Sequence, residues 1–117
     1  MKTKIHPKPV LSGPYDLRLL DIADLKGAGS AHVGLVRIAA GTRSPAEGYR
    51  ASARHEIAFV VEGRLQVDTP DDSATIEAGT VVVSRAETHA TTALADSIIF
   101  YVLIDPDHGE LKVCRNW

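Results

Sequence analysis

From Gly34 onward the chain is a succession of short apolar runs, "GLVRIA", "IAFVVEG", "RLQVD", "ATIEAG", "TVVVS", "HATTA" and "SIIFYVLI", separated by Gly, Asp, Pro and other turn residues. The runs are rich in Val, Ile, Phe and Tyr and too short to bury a helical face. They predict an all-β sandwich or barrel. No run of helical period interrupts them, so no crossover helix is available and neighbouring strands must pair antiparallel. Nearer the N-terminus, the apolar spacing of "YDLRLLDIADL" suits a helix and an irregular strand equally, and both readings stay open. "TPDDSA", from Thr69 to Ala74, reads as a polar turn between two strands. "IDPDHGE", from Ile104 to Glu110, ends the strand region with turn chemistry. The terminal "LKVCRNW" reads as an edge strand or as an arm packed on a partner.

Composition narrows the class without choosing within it. At 117 residues the chain is expected to form one domain. Its 13 Lys and Arg are scattered among 15 Asp and Glu, a pattern that lacks the basic footprint of a nucleic-acid binder. A single cysteine, Cys114, excludes an internal disulfide and a Cys-based zinc cluster, and fits a reducing compartment. "MKTKIHPKPV" has basic residues with no apolar stretch behind them, and no apolar run is long enough to span a bilayer. The expectation is a soluble cytoplasmic protein with neither a membrane nor a nucleic acid as partner.

Spacing adds a resemblance. Gly41 is followed after five residues by Glu47, then by Gly48 and Tyr49, and Glu56 is followed after six residues by Gly63. This resembles the first cupin motif, in which a glycine precedes His-x-His, a glutamate and a second glycine. "EAGTVVVSRAETHATTA" resembles the second motif, opened here by Gly79 and carrying His89 ten residues later. The fifteen residues between Gly63 and Gly79 match the compact spacing of small bacterial cupins. The resemblance covers about residues 33–106 and implies an antiparallel double-stranded β-helix, or jelly-roll barrel, with the terminal segments as flanking strands or dimer arms. It also implies a homodimer, paired through an exposed sheet face or exchanged terminal strands, with the N-terminal segment and "LKVCRNW" expected at the contact, and a ligand site in the barrel lumen.

The first motif is degenerate, so each site residue is weighed on its own chemistry. Glu56 opens a strand whose period-two partners are Ala58 and Val60, which aims its carboxylate at the lumen. A carboxylate buried there needs a cation or several donors. The bland alternative is a strand-end glutamate bonded to an arginine or to backbone. His89 has the neutral imidazole that transition metals favour, and a structural histidine is its alternative. Glu47 and Tyr49 stand where the resemblance has its two histidines. A carboxylate at Glu47 suits metal ligation, whereas neutral Tyr49 is a poor metal ligand and suits a hydrogen bond to a bound molecule. His55 should face away from the lumen if Glu56 faces in, unless a bulge turns it. Among Arg37, Arg43, Arg50, Arg54, Arg64 and Arg85, Arg37 sits mid-strand in "LVRIA" and is the first choice to grip a ligand carboxylate.

Two functions remain open at this stage. One is a metal-dependent enzyme acting on a small polar or carboxylate-bearing metabolite, with Glu47, Glu56 and His89 holding one divalent ion (Zn, Fe, Mn, Ni or Cu). The other is a metal-free, non-catalytic module that binds a small molecule in the same lumen.

Overall fold

The structure is a computed structural model describing residues 3–85 and 88–105. Its strands are β1 (Tyr15–Asp24), β2 (Ser30–Ile38), β3 (Arg43–Ser44), β4 (His55–Glu62), β5 (Arg64–Asp68), β6 (Ser73–Glu77), β7 (Val81–Arg85), β8 (Ala90–Ala93) and β9 (Ser97–Asp105). They form a five-stranded sheet in the order β1-β2-β9-β4-β7 and a four-stranded sheet in the order β3-β8-β5-β6. Every pairing is antiparallel, as runs without crossover helices require. The segments beyond Asp105, including most of "IDPDHGE" and all of "LKVCRNW", lie outside the described residues. Among the described residues no helix is long and apolar enough to cross a membrane.

The ambiguous segment "YDLRLLDIADL" forms the edge strand β1. Its register explains the ambiguity. Leu19 pairs with Gly34 but Asp21 pairs with Val33, so a bulge at Leu20 interrupts the ladder. The bulge keeps Leu17, Leu19 and Ile22 on one face even though their spacing is not period two. The sheet thus begins well before residue 33.

Burial follows the pleat. On β2, Gly34, Val36 and Ile38 are buried while Val33, Leu35 and Arg37 lie on the other face. The core between the sheets collects Val36, Ile38, Ala58, Val60, Leu65, Ala93, Ile99 and Tyr101. Each such aliphatic side chain, withdrawn from water, contributes about 1.5–3 kcal/mol before entropy is counted.

Two glycines are fixed by geometry. At Gly34 a Cβ would fall on the ring and hydroxyl of Tyr101 and on the Arg18 carbonyl, so the bare backbone lets the Tyr101 ring lie across β2. Gly63 carries the chain from β4 in one sheet to β5 in the other at φ +93, and a Cβ there would strike Ser97 and the Asp96 carbonyl. Ser97 is fully buried; its hydroxyl accepts from the Arg64 N–H at 3.1 Å and donates to the Ala95 carbonyl at 2.8 Å. Gly63→Ala therefore meets both an unfavourable left-handed backbone and a backbone clash. We expect it to lose about 2 kcal/mol in urea unfolding, whereas Gly79→Ala, where φ is also positive but the space is open, loses only the conformational part, about 1 kcal/mol.

Candidate functional site

Between the sheets lies a cleft of about 480 Å³, walled by Val36 and Ile38 of β2, Ile99, Tyr101 and Leu103 of β9, and Leu17 of the edge strand. Glu56 and His89 enter it from different strands of different sheets. Glu56 shares the inner face of β4 with Ala58 and Val60, and lies opposite Ser84 on β7 and Leu103 on β9. His89 comes at the head of β8, from the other sheet. The inward aim expected of these two residues is what the register produces.

The link between β3 and β4 supplies the mouth of the cleft. Its Arg50 forms an isolated antiparallel bridge with His89, the two backbones exchanging hydrogen bonds of 2.8 and 3.1 Å. Paired residues of such a bridge project to the same side. The bridge therefore sets the Arg50 guanidinium beside the His89 imidazole, with Ser44, Ser52 and Thr91 also lining the cleft. Arg50 Nη2 donates to Ser44 Oγ at 3.3 Å, which leaves most of its donors available. Arg54 lines the same mouth but is matched by Asp105, with Nε 3.5 Å from the carboxylate. Among the described residues no carboxylate lies within ion-pair distance of Arg50.

Burial dominates the electrostatics of Glu56. Desolvation pushes its carboxyl above the ordinary 4.5, and the opposing attraction of His89 and then Arg50 only partly offsets this. The Tyr101 hydroxyl, across the cleft, is raised for the same first reason, with Tyr15 and Glu56 adding to it. The pocket thus combines an acid biased toward its neutral form, an imidazole and a cationic rim.

The other expected site residues lie elsewhere, and the reasons are physical. Arg37 projects from the outer face of its strand, where its Nε donates to the Gly13 carbonyl at 3.2 Å and its Nη2 lies 3.9 Å from Asp96. Both faces of β2 are apolar, so parity alone did not say which was the lumen; the buried partners Val36 and Ile38 decide it. Glu47 and Tyr49 are exposed on the β3–β4 link, away from the cleft. The six residues between Tyr49 and Glu56 carry them outward, and the Tyr49 ring sits under the Arg43 guanidinium at 5.7 Å. His55 faces away from Glu56 and lines neither the cleft nor the smaller cavity beside it. Arg50 and Tyr101 are the residues that sequence reasoning undervalued. Tyr101 was legible in principle, because it alternates with Ile99 and Leu103 in "SIIFYVLI" and faces a glycine.

These positions test the metal centre that the resemblance implies. Glu56 and His89 supply two donors to one place, while Glu47 lies outside the pocket. Among the described residues no group of three or more His, Cys, Asp or Glu side chains is arranged to hold an ion. A structural site needs about four protein ligands and a catalytic one about three, so the described residues do not fit such an ion.

No family model matches the sequence, and no curated protein matches it. Solved structures do share its fold. The cupin domain of Schizosaccharomyces pombe Cnp3 superposes with a TM-score of 0.70 over 92% of this chain and 75% of that one, at 13% identity. A cupin-2 domain protein from Shewanella frigidimarina gives 0.61 at 20% identity, covering 83% of this chain and 85% of its own. A putative ethanolamine utilization protein Q from Salmonella typhimurium gives 0.62 at 17% identity, covering 80% and 71%. The chain has the cupin fold.

Proposed function

We propose that this cupin-fold chain is a metal-independent binding module for a small carboxylate. The observation that carries this reading is the convergence of Arg50, Glu56 and His89 on one cleft in which, among the described residues, no third His, Cys, Asp or Glu is placed to complete a metal site; Asp105, the other carboxylate of the lining, is paired with Arg54. Arg50 supplies a planar set of N–H donors to a carboxylate at the mouth. The hydroxyls of Ser44, Ser52 and Thr91 add weaker donors and acceptors. Glu56 and His89, deeper in, orient the part of the ligand that follows. An enzymatic reading would use this last pair as general acid and base, favoured by the upward displacement of Glu56 beside an imidazole. Turnover of a bound acid separates the two readings.

The test is calorimetric titration of EDTA-treated protein with short monocarboxylic acids and with their matched amides. The reading predicts saturable binding of the acids, none of the amides, and no change when Zn, Fe, Mn, Ni or Cu ions are added. Binding that demands a metal, or no binding by any acid, overturns it.

The partner chemistry rests on a separate surface. On the outer face of the five-stranded sheet, Ile57 lies opposite Val83 and Val102, and Phe59 opposite Val81 and Phe100. Val81 and Val83 are 58% and 57% exposed, and Ile57, Phe59 and Val61 are exposed as well. The patch offers on the order of 500 Å² of apolar surface per copy, or on the order of 1,000 Å² across a two-fold contact, the lower bound for a specific interface. The Arg37–Asp96 and Arg18–Asp16 pairs stand toward the β1 and β2 side of this face, and Arg85, opposite His55, stands at the end of β7. The N-terminal segment is tied to its own β1, where Lys4 and His6 reach Asp21. The reading therefore places a second copy on the sheet face and not on an exchanged N-terminal arm. Light scattering should give twice 12.6 kDa for the parent and 12.6 kDa for Phe59→Lys. A parent that stays monomeric at high concentration contradicts the pairing.

A further inference from the structure

The lumen holds a second, smaller cavity of about 50 Å³, walled by Ala58, Val60, Leu65, Val67, Val82 and Ile99. Four of these, Ala58, Val60, Leu65 and Ile99, belong to the buried core. Glu56, His89, Thr91 and Ile99 line both this cell and the large cleft, so they stand at the boundary between the two. Protein cores are packed densely enough that few voids exceed a water molecule, and an unfilled apolar void forfeits contacts on all its walls. A cell of this kind next to a ligand cleft gains most when part of the ligand fills it.

Its size limits what can enter. An engineered apolar cavity of roughly 150 Å³ admits benzene, so a cell one-third as large holds roughly two to three carbon atoms. Its walls offer such carbons apolar contacts except along the polar row of Glu56, Ser84, His89 and Thr91. Desolvation biases Glu56 toward its neutral form, which lowers the cost of running an aliphatic chain past it.

We infer that this inner cell is a specificity subsite for a short aliphatic tail, which makes the ligand a short-chain monocarboxylic acid whose carboxylate meets Arg50 while its terminal carbons pass Glu56 and His89 into the cell. The inference rests on the carboxylate-binding reading and adds to it the length and apolar character of the remainder. Ala58 and Val82, opposite one another on β4 and β7, set the depth of the cell.

The experiment is a chain-length series, acetate through heptanoate, titrated into the full chain in EDTA. Affinity should rise about fourfold for each methylene that enters the cell and then stop rising at one length. Ala58→Val, which adds two methyl groups to the wall, should move that length down by at least one carbon. Val82→Ala should move it up by at least one carbon, and in both variants acetate should bind as it does to the parent. Val82 is only half-buried, so its truncation keeps the test decisive if Ala58→Val does not fold. Equal affinity across the series, or a profile that neither variant moves, overturns the subsite while leaving carboxylate binding intact. Failure of every acid, acetate included, overturns the carboxylate reading and the subsite with it.

Discussion

Arg50→Ala will weaken binding of a short carboxylate by about 10- to 100-fold and leave the melting temperature of the free protein nearly unchanged. A charge-assisted hydrogen bond to an ionised partner is worth about 1.5–3 kcal/mol, and a guanidinium facing a carboxylate makes two. Arg50 is exposed, and the interaction recorded for its own side chain is a long bond to Ser44 Oγ, so its removal costs the fold little. The backbone bridge to His89 uses main-chain atoms and survives the truncation. Arg37→Ala serves as the control. That side chain lies on the outer face with Gly13 and Asp96, so the variant should bind like the parent. Titration by calorimetry checks both, and an Arg37→Ala variant with the larger loss would reverse the assignment of the carboxylate site.

The second large effect concerns pH. Glu56 is displaced upward by desolvation, so between the ordinary 4.5 and its raised folded value the native protein keeps a proton that the unfolded chain has released. Its contribution to stability is fully present below 4.5 and is lost as pH rises through the folded value. Glu56→Gln keeps the shape and removes the charge. It should match the parent in urea unfolding at pH 4 and exceed it increasingly as the pH is raised to 8. A Gln variant less stable than the parent at every pH would mean that the carboxylate is held by its neighbours more strongly than burial disfavours it. Ligand binding carries the same signature, because an anion entering beside Glu56 favours the protonated form. As pH rises above the ordinary 4.5 and through the raised folded value, affinity should fall more steeply for the parent than for Glu56→Gln.

How much of this was readable from the sequence depended on which physical signal was local. The strand runs were legible because each carries its own period and turn residues; "TVVVS" and "RLQVD" became β7 and β5 with little adjustment. Glu56 was legible because its alternation with Ala58 and Val60 is local as well. His89 was found through spacing from Gly79, and what made it useful, the backbone bridge to Arg50, spans two distant segments that no local pattern connects. Strand β1 stays ambiguous between helix and irregular strand in the sequence because a bulge breaks its period. Arg37 was misplaced because β2 has apolar residues on both faces, one lining the core and the other belonging to the exposed sheet face. The same double-sided apolarity runs along β4 and β9, where Ile57 and Phe59 alternate with Ala58 and Val60. Strands apolar on both sides are expected in sheets covered on both faces, and here the outer face is exposed, the surface on which the proposed second copy would pack.

Glu47 and Tyr49 show the limit of motif spacing. They hold the sequence positions of two metal ligands, but the longer link before Glu56 turns them into solvent. A motif transfers chemistry only when the backbone between its members keeps its length, and here two residues of a four-ligand pattern are both replaced and displaced.

The account stands on one arrangement: an acid, an imidazole and a guanidinium lodged around a single cavity and answering to an organic anion without an ion between them. An NMR titration of metal-free protein with butyrate measures this directly. The Arg50 side-chain N–H groups, the His89 ring and the Thr91 amide should shift together along one saturating curve that Arg50→Ala abolishes. Shifts confined to arginines outside the cleft, such as Arg37 and Arg43, or none until a divalent metal is added, would contradict it.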